Sequence, residues 1–143
     1  MYKLKIKCSN TALLTVTRSK QWSSRMVYIL TANKSRKYRS GLRSRIVYIG
    51  TTGKGVNRPA ASAVNKASEA FGTLYGVKTI EAHIATCTAK KAVKTWKLLE
   101  SALIDTFWKR YFELPRYNKV RPKHKDGVFS GKKLLSLIQQ FEP

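Results

Sequence analysis

Residues 45–58 read RIVYIGTTGKGVNR, and their types and spacing suit the binding of an anion. Val47, Tyr48 and Ile49 are strand formers, while Gly50, Gly53 and Gly55 give the backbone the freedom to leave a strand sharply. Pro59 then suits the first turn of a helix. A glycine-rich passage from a strand into a helix presents free N–H groups and a positive dipole end, and both favour phosphate. Lys54 and Arg58 bring full charges to the same place. The stretch lacks GxxxxGK[ST] spacing, so it is not a nucleoside-triphosphate loop.

Glu100 is the second candidate. It follows Trp96 by four residues and precedes Leu103 and Ile104 by three and four, which places it along the apolar face of a helix. A carboxylate there is costly unless positive charge meets it. Either Arg or Lys pairs with it, or it ligates a hard cation such as Mg²⁺, and spacing alone leaves both open. The seven acids are Glu69, Glu81, Glu100, Asp105, Glu113, Asp126 and Glu142, of which only Glu81 and Glu100 fall in apolar stretches. That count argues against a nuclease built on clustered carboxylates and two metals. His83 and His124 are isolated, and Cys8 and Cys87 are far apart, which argues against a zinc cluster and for reduced, structural cysteines.

The chain has 143 residues, one domain's worth, and 29 Lys and Arg against seven acids give a net charge of +22. Such a balance implies a polyanionic partner, first of all nucleic acid. An anionic membrane surface would also attract it, but no run approaches the ~20 apolar residues of a spanning helix. The opening MYKLKIKCSNTALLTV has no sustained apolar core or cleavage site, so the expectation is an unsecreted, cytoplasmic and nucleoid-associated protein.

The elements that must position these residues follow from periodicity. Residues 2–7 alternate Tyr, Leu and Ile with lysines, predicting an edge strand, and residues 11–17 a second β-prone run. Residues 18–25 read as a polar turn, and residues 26–30, MVYIL, as a buried strand. The connector 31–44 sets Lys34, Arg36, Lys37, Arg39 and Arg43 around Tyr38 and Gly41. It is either a solvated loop or a finger along a nucleic-acid groove, with Tyr38 stacked on a base. Ala60, Ala63, Val64, Ala67 and Phe71 predict a helix over 59–71 that Gly72 and Gly76 end, and residues 77–87 a third strand. Residues 90–112 predict a long helix with a stripe of Trp96, Leu99, Leu103, Ile104 and Phe107, and 134–141 a short one. Trp22, Trp96 and Trp108 read as packing residues. In the basic tail between these helices, Arg121, Lys123 and Lys125 suit phosphates rather than base edges. The expected architecture is α+β, a small mainly antiparallel sheet flanked by helices in a sandwich.

A tyrosine in an apolar strand (VYIL, 27–30), then VYIG (47–50), a basic loop, an arginine opening a helix, LLESALI (98–104) and LPRYN (114–118) follow one another in this order. This succession resembles the GIY-YIG endonuclease domain over about residues 26–119, with an N-terminal β extension at 1–25 and a basic extension at 120–143. The resemblance implies a site of Tyr28, Tyr48, Arg58, Glu100 and Asn118, with one Mg²⁺ or Mn²⁺ on Glu100 and DNA as substrate; the charge does not exclude RNA. It implies that one tyrosine takes a proton from water, without saying which. A phenol titrates near ~10, so Arg58, Lys54 and the metal are expected to lower that value. Two departures stand out: the longer basic connector, and Ser62 where the family often has histidine or tyrosine. Ser62 keeps open a competing reading, a catalytically weak or inactive basic nucleic-acid-binding module. One site cuts one strand, so a double-strand break calls for a homodimer or two encounters.

Overall fold

The computed structural model describes residues 3–18, 24–73 and 76–143. Three strands, β1 (Met26–Lys37), β2 (Arg43–Thr52) and β3 (Ile80–Ala85), and three helices, α1 (Asn57–Thr73), α2 (Thr95–Tyr111) and α3 (Gly131–Gln139), make an α+β fold. The sheet is antiparallel in the order β2-β1-β3. Its middle strand opens with seven buried residues, Met26 to Ala32, as a strand covered on both faces must.

Side chains alternate across β1 and divide the core in two. Tyr28, Leu30 and Ala32 face α1 and pack with Val47, Ala70, Val77 and Tyr117. Val27 and Ile29 face the other way, joining Ile46, Ile49, Leu99, Leu103, Phe107, Leu134 and Ile138 beneath α2 and α3. The sheet is therefore a layer between α1 and the α2–α3 pair. Among the described residues no helix is long and apolar enough to cross a membrane.

Several expectations are corrected. The connector 31–44 is mostly strand: past a bulge, Arg36 and Lys37 pair with Ser44 and Arg43, leaving a tight turn. Tyr38 is no base-stacking residue. It is 3% exposed, its hydroxyl donates to the Ile46 carbonyl at 2.6 Å, and its ring meets Phe107 edge-on at 5.0 Å. A phenol beside an apolar helix gains more by burial than by standing in water. The turn is riveted to the end of α2, Ser40 N–H to the Tyr111 carbonyl at 3.1 Å and Arg39 N–H to Glu113 Oε1 at 2.7 Å. It is a fixed edge and not a finger.

Residues 3–18 form neither expected strand, and Leu4, Ile6 and Leu13 stand exposed. Alternation alone does not make a strand: residues 3–18 pair with neither edge of the sheet, and on the β2 side the tail approaches instead, Tyr117 N–H donating to the Val47 carbonyl at 2.8 Å. Tyr2, Trp22 and residues 19–23 lie outside the described residues. Helix α1 runs through Gly72 to Thr73, while α2 begins at Thr95, five residues later than the apolar pattern suggested. Ala92 takes a left-handed conformation (φ 61°) in a turn closed by the Lys90–Val93 bridge, which interrupts the helical path before Thr95.

Candidate active site

The two tyrosines meet at one end of the sheet. Tyr28 pairs in register with Gly50, two residues beyond Tyr48, and the two rings lie 6.0 Å apart between centroids. Gly50 is required by that meeting: a Cβ there would lie 2.5 Å from Tyr28 Cζ and 2.7 Å from Tyr48 Cε1. The two phenols differ in access. Tyr28 is fully buried, its hydroxyl 2.8 Å from Ser62 Oγ on α1, whereas Tyr48 is half-buried. Ser62 thus fixes the buried tyrosine, which spacing did not reveal.

The loop after β2 delivers the arginine. Thr52 Oγ1 accepts from Lys54 N–H at 3.1 Å, and Gly55, at φ 90°, donates to the Ser24 carbonyl at 2.9 Å, so the chain turns into α1 with Arg58 in its first turn. On the other side a Cβ on Gly53 would touch the Trp96 ring at 3.6 Å, so the first turn of α2 lies against this loop. Glu100 follows one turn later.

Electrostatics tie the four groups together. Burial pushes the Glu100 carboxyl above its ordinary range, with Arg58 and Lys97 pulling it back in part. Burial also pushes the Tyr48 phenol up, aided by Tyr28 and Glu100 and opposed by Arg58. Arg58 alone does not lower that phenol, because lost hydration outweighs the single guanidinium acting on it. Among the described residues Glu100 makes no ion pair.

That unpaired, half-buried carboxylate suits a divalent cation. No group of three His, Cys, Asp or Glu gathers anywhere among the described residues, so the protein would contribute fewer than three such ligands. Mg²⁺ commonly binds in this manner, keeping waters and sharing substrate phosphate.

Asn118 has a supporting place. Its Oδ1 accepts from Ile49 N–H and its Nδ2 donates to the Ile49 carbonyl, both at 2.9 Å, which closes the β2 edge between Tyr48 and Gly50. Lys66 is a neighbour that the sequence argument missed, its Nζ 5.1 Å from the Tyr48 ring centroid. The signal was present, since Arg58, Ser62 and Lys66 recur every four residues along α1.

The expected basic contacts do not all gather here. Lys54 is exposed on the loop beside Arg58. Lys34, Arg36, Lys37, Arg39 and Arg43 belong to the far end of the hairpin, and the nine residues from Tyr28 to Lys37 span roughly 30 Å of strand. Arg43 donates to Ser35 Oγ and the Ser35 carbonyl, each at 2.9 Å. Lys34 reaches over Gly76, and the Arg36 guanidinium lies 5.5 Å from the Tyr38 ring. Lys37 and Arg39 are exposed. Arg121 is committed to Asp105 at 2.6 Å, and the exposed Lys123 and Lys125 flank His124, which is 3.0 Å from Asp126. Asp105 follows Glu100 by five residues, ~140° around the helix, so this loop lies on another side of α2. A cavity of about 720 Å³ there, lined by Asp105, His124, Asp126 and Phe129, includes none of the tyrosine cluster. Asp105 is also the buried acid, in place of Glu81, which is exposed.

No family model, curated protein or solved structure matches the chain significantly.

Proposed function

We propose that the protein is a divalent-metal-dependent endonuclease of GIY-YIG type that hydrolyses phosphodiester bonds in DNA. The observation that carries this reading is the meeting of Tyr28, Tyr48, Arg58 and Glu100, from four different elements, at one end of the sheet. The three-stranded antiparallel sheet with helices on both faces is also the arrangement the resemblance implies. A charge of +22 supplies the affinity for a polyanion.

The chain's residues divide the work. Arg58, a permanent planar cation at a helix N-terminus, holds the non-bridging oxygens of the phosphate. Tyr48, the half-exposed phenol, is the one that water reaches, and in its ionised form its oxygen accepts the proton of the attacking water. Tyr28, held by Ser62 and fully buried, orients Tyr48 from behind. Glu100 would hold Mg²⁺ or Mn²⁺, which supplies Lewis-acid charge to the phosphate and leaving oxygen. Because the Tyr48 phenol is raised, the rate climbs with pH through the neutral range.

The test is nicking and linearisation of supercoiled plasmid by wild type and Glu100→Ala in Mg²⁺, Mn²⁺ or EDTA. Metal-dependent cutting lost in the variant is expected. Retarded but uncut plasmid under every metal would replace this reading with the basic binding module, which the raised Tyr48 and the serine at position 62 favour. A requirement for two protomers would appear as linearisation that rises with the square of protein concentration.

A further inference from the structure

Lys66 stands beside the tyrosine cluster. It is half-buried on α1, its Nζ 5.1 Å from the Tyr48 ring centroid and 5.8 Å from that of Tyr117. Among the described residues it makes no ion pair. Ordering a lysine costs rotamer freedom, and its contacts with the half-buried Tyr48 ring and the buried Tyr117 ring offset that cost without giving the ammonium an anion. The unmatched charge calls for an explanation.

The surroundings supply one. Arg58, Ser62 and Lys66 form a single row along α1, and the middle member is bonded to the Tyr28 hydroxyl. Lys66 stands over the ring of Tyr48, while Glu100 and Arg58 act on its phenol. The side chains of a helix lean toward its N-terminus, which carries the Lys66 ammonium toward the Arg58 end. Beyond it, the exposed Arg116 guanidinium lies 6.0 Å from the Tyr117 ring and continues the row of cations along the β2 edge.

We propose that Lys66 is a substrate-contacting residue of this site, its ammonium holding a backbone phosphate beside Tyr48 while Arg58 holds the scissile one. This inference rests on the reading above, that the tyrosine cluster receives nucleic acid. The aromatic rings hold the ammonium ready at the protein surface, and the phosphate replaces them as its main partner. Lys66 contributes to binding the strand in register and not to the proton transfer.

The experiment measures affinity of the full chain for a fluorescent duplex in EDTA, between ~50 and ~200 mM salt, for wild type, Lys66→Met and Lys66→Arg. Methionine keeps the apolar stem and removes the charge. One lost phosphate contact lowers the slope of log K against log salt by about 0.9, so wild type should lose ~3.5-fold more affinity than Lys66→Met over this fourfold range. Lys66→Arg should restore the wild-type slope. In plasmid cleavage, Lys66→Met should raise KM and leave kcat within about twofold, as loss of uniform binding does. An unchanged slope in Lys66→Met overturns the proposal, whatever the change in rate or melting temperature. Wild type that does not bind the duplex at all brings down the nucleic-acid reading itself, whereas binding that is blind to Lys66 brings down only this inference.

Discussion

Two carboxylates on one helix, five residues apart, have opposite surroundings. Asp105 is 5% exposed and answered: Arg121 at 2.6 Å, Lys109 at 3.0 Å and His124 at 3.7 Å surround its two oxygens. Burial alone would push its pKa up, but the hydrogen bonds from Arg121 and Lys109 hold it below the ordinary value. Glu100 is also removed from water, yet it makes no ion pair among the described residues, and its pKa stands above the ordinary value. A chain with 29 cations could have supplied it with one. The difference separates an acid that ties the tail to α2 from one that no cation pairs with among the described residues, as the proposed metal site requires. The half-buried Glu142 is paired as well: it accepts from Arg110 at both oxygens and from Tyr111 at 2.6 Å.

Catalysis separates the two most. Glu100→Gln keeps the side chain's shape and removes its affinity for a divalent cation, so plasmid cleavage should fall by at least ~100-fold, a loss common for one electrostatic group. Asp105→Asn should leave the cleavage rate within about threefold. Comparable losses in the two variants would mean that the tail docked on Asp105 belongs to the site, and the contrast drawn here would fail.

Stability should sort them the other way. Asp105→Ala strands the Arg121 and Lys109 cations, whose side chains are 41% and 64% exposed and so remain hydrated. The loss should therefore fall below the ~3–5 kcal/mol of a fully buried pair, at about 1–2 kcal/mol in chemical denaturation. Glu100→Gln should lose nothing. If Glu100→Gln were the less stable variant, the carboxylate would have a structural partner.

What the sequence made legible follows the same division. Arg58 and Glu100 stood out by position, at a helix start and in an apolar stripe, whereas Tyr28 and Tyr48 looked like ordinary strand residues and were singled out only through the family resemblance. The apolar parts of β1 and β2 and the stripe of α2 were readable from apolar patterning. Asp105 was hidden, since its partners Arg121 and His124 come from an irregular tail whose path no periodicity encodes. Tyr38 was misread for a related reason. Amid five cations it looked like a solvent residue, and only the approach of Phe107 and Tyr111 from α2 makes it core. The alternation of residues 2–7 misled in the opposite sense, a strand pattern whose described residues pair with neither edge of the sheet.

The smallest expected effect is a difference in sign. Asp105 has its folded pKa below the ordinary 3.8, so the stability it contributes is present above that value and is lost as pH falls through the folded pKa. The cost of Asp105→Asn should therefore shrink on acidification below about pH 4. Glu100 has its folded pKa above the ordinary 4.5, so the folded state holds the proton more tightly than the unfolded chain. Wild type then loses stability as pH rises from 4.5 through the folded value, and a glutamine, with no proton to release, does not. Denaturation curves in EDTA from pH 3 to pH 7 should show Glu100→Gln gaining on wild type with rising pH, while Asp105→Asn falls behind it. Adding Mg²⁺ at neutral pH should cancel the gain of Glu100→Gln, because an ion bound to the Glu100 carboxylate stabilises only the wild type. Slopes of the same sign for both variants would place the two carboxylates in equivalent surroundings and remove the physical ground for treating Glu100 as the proposed metal ligand.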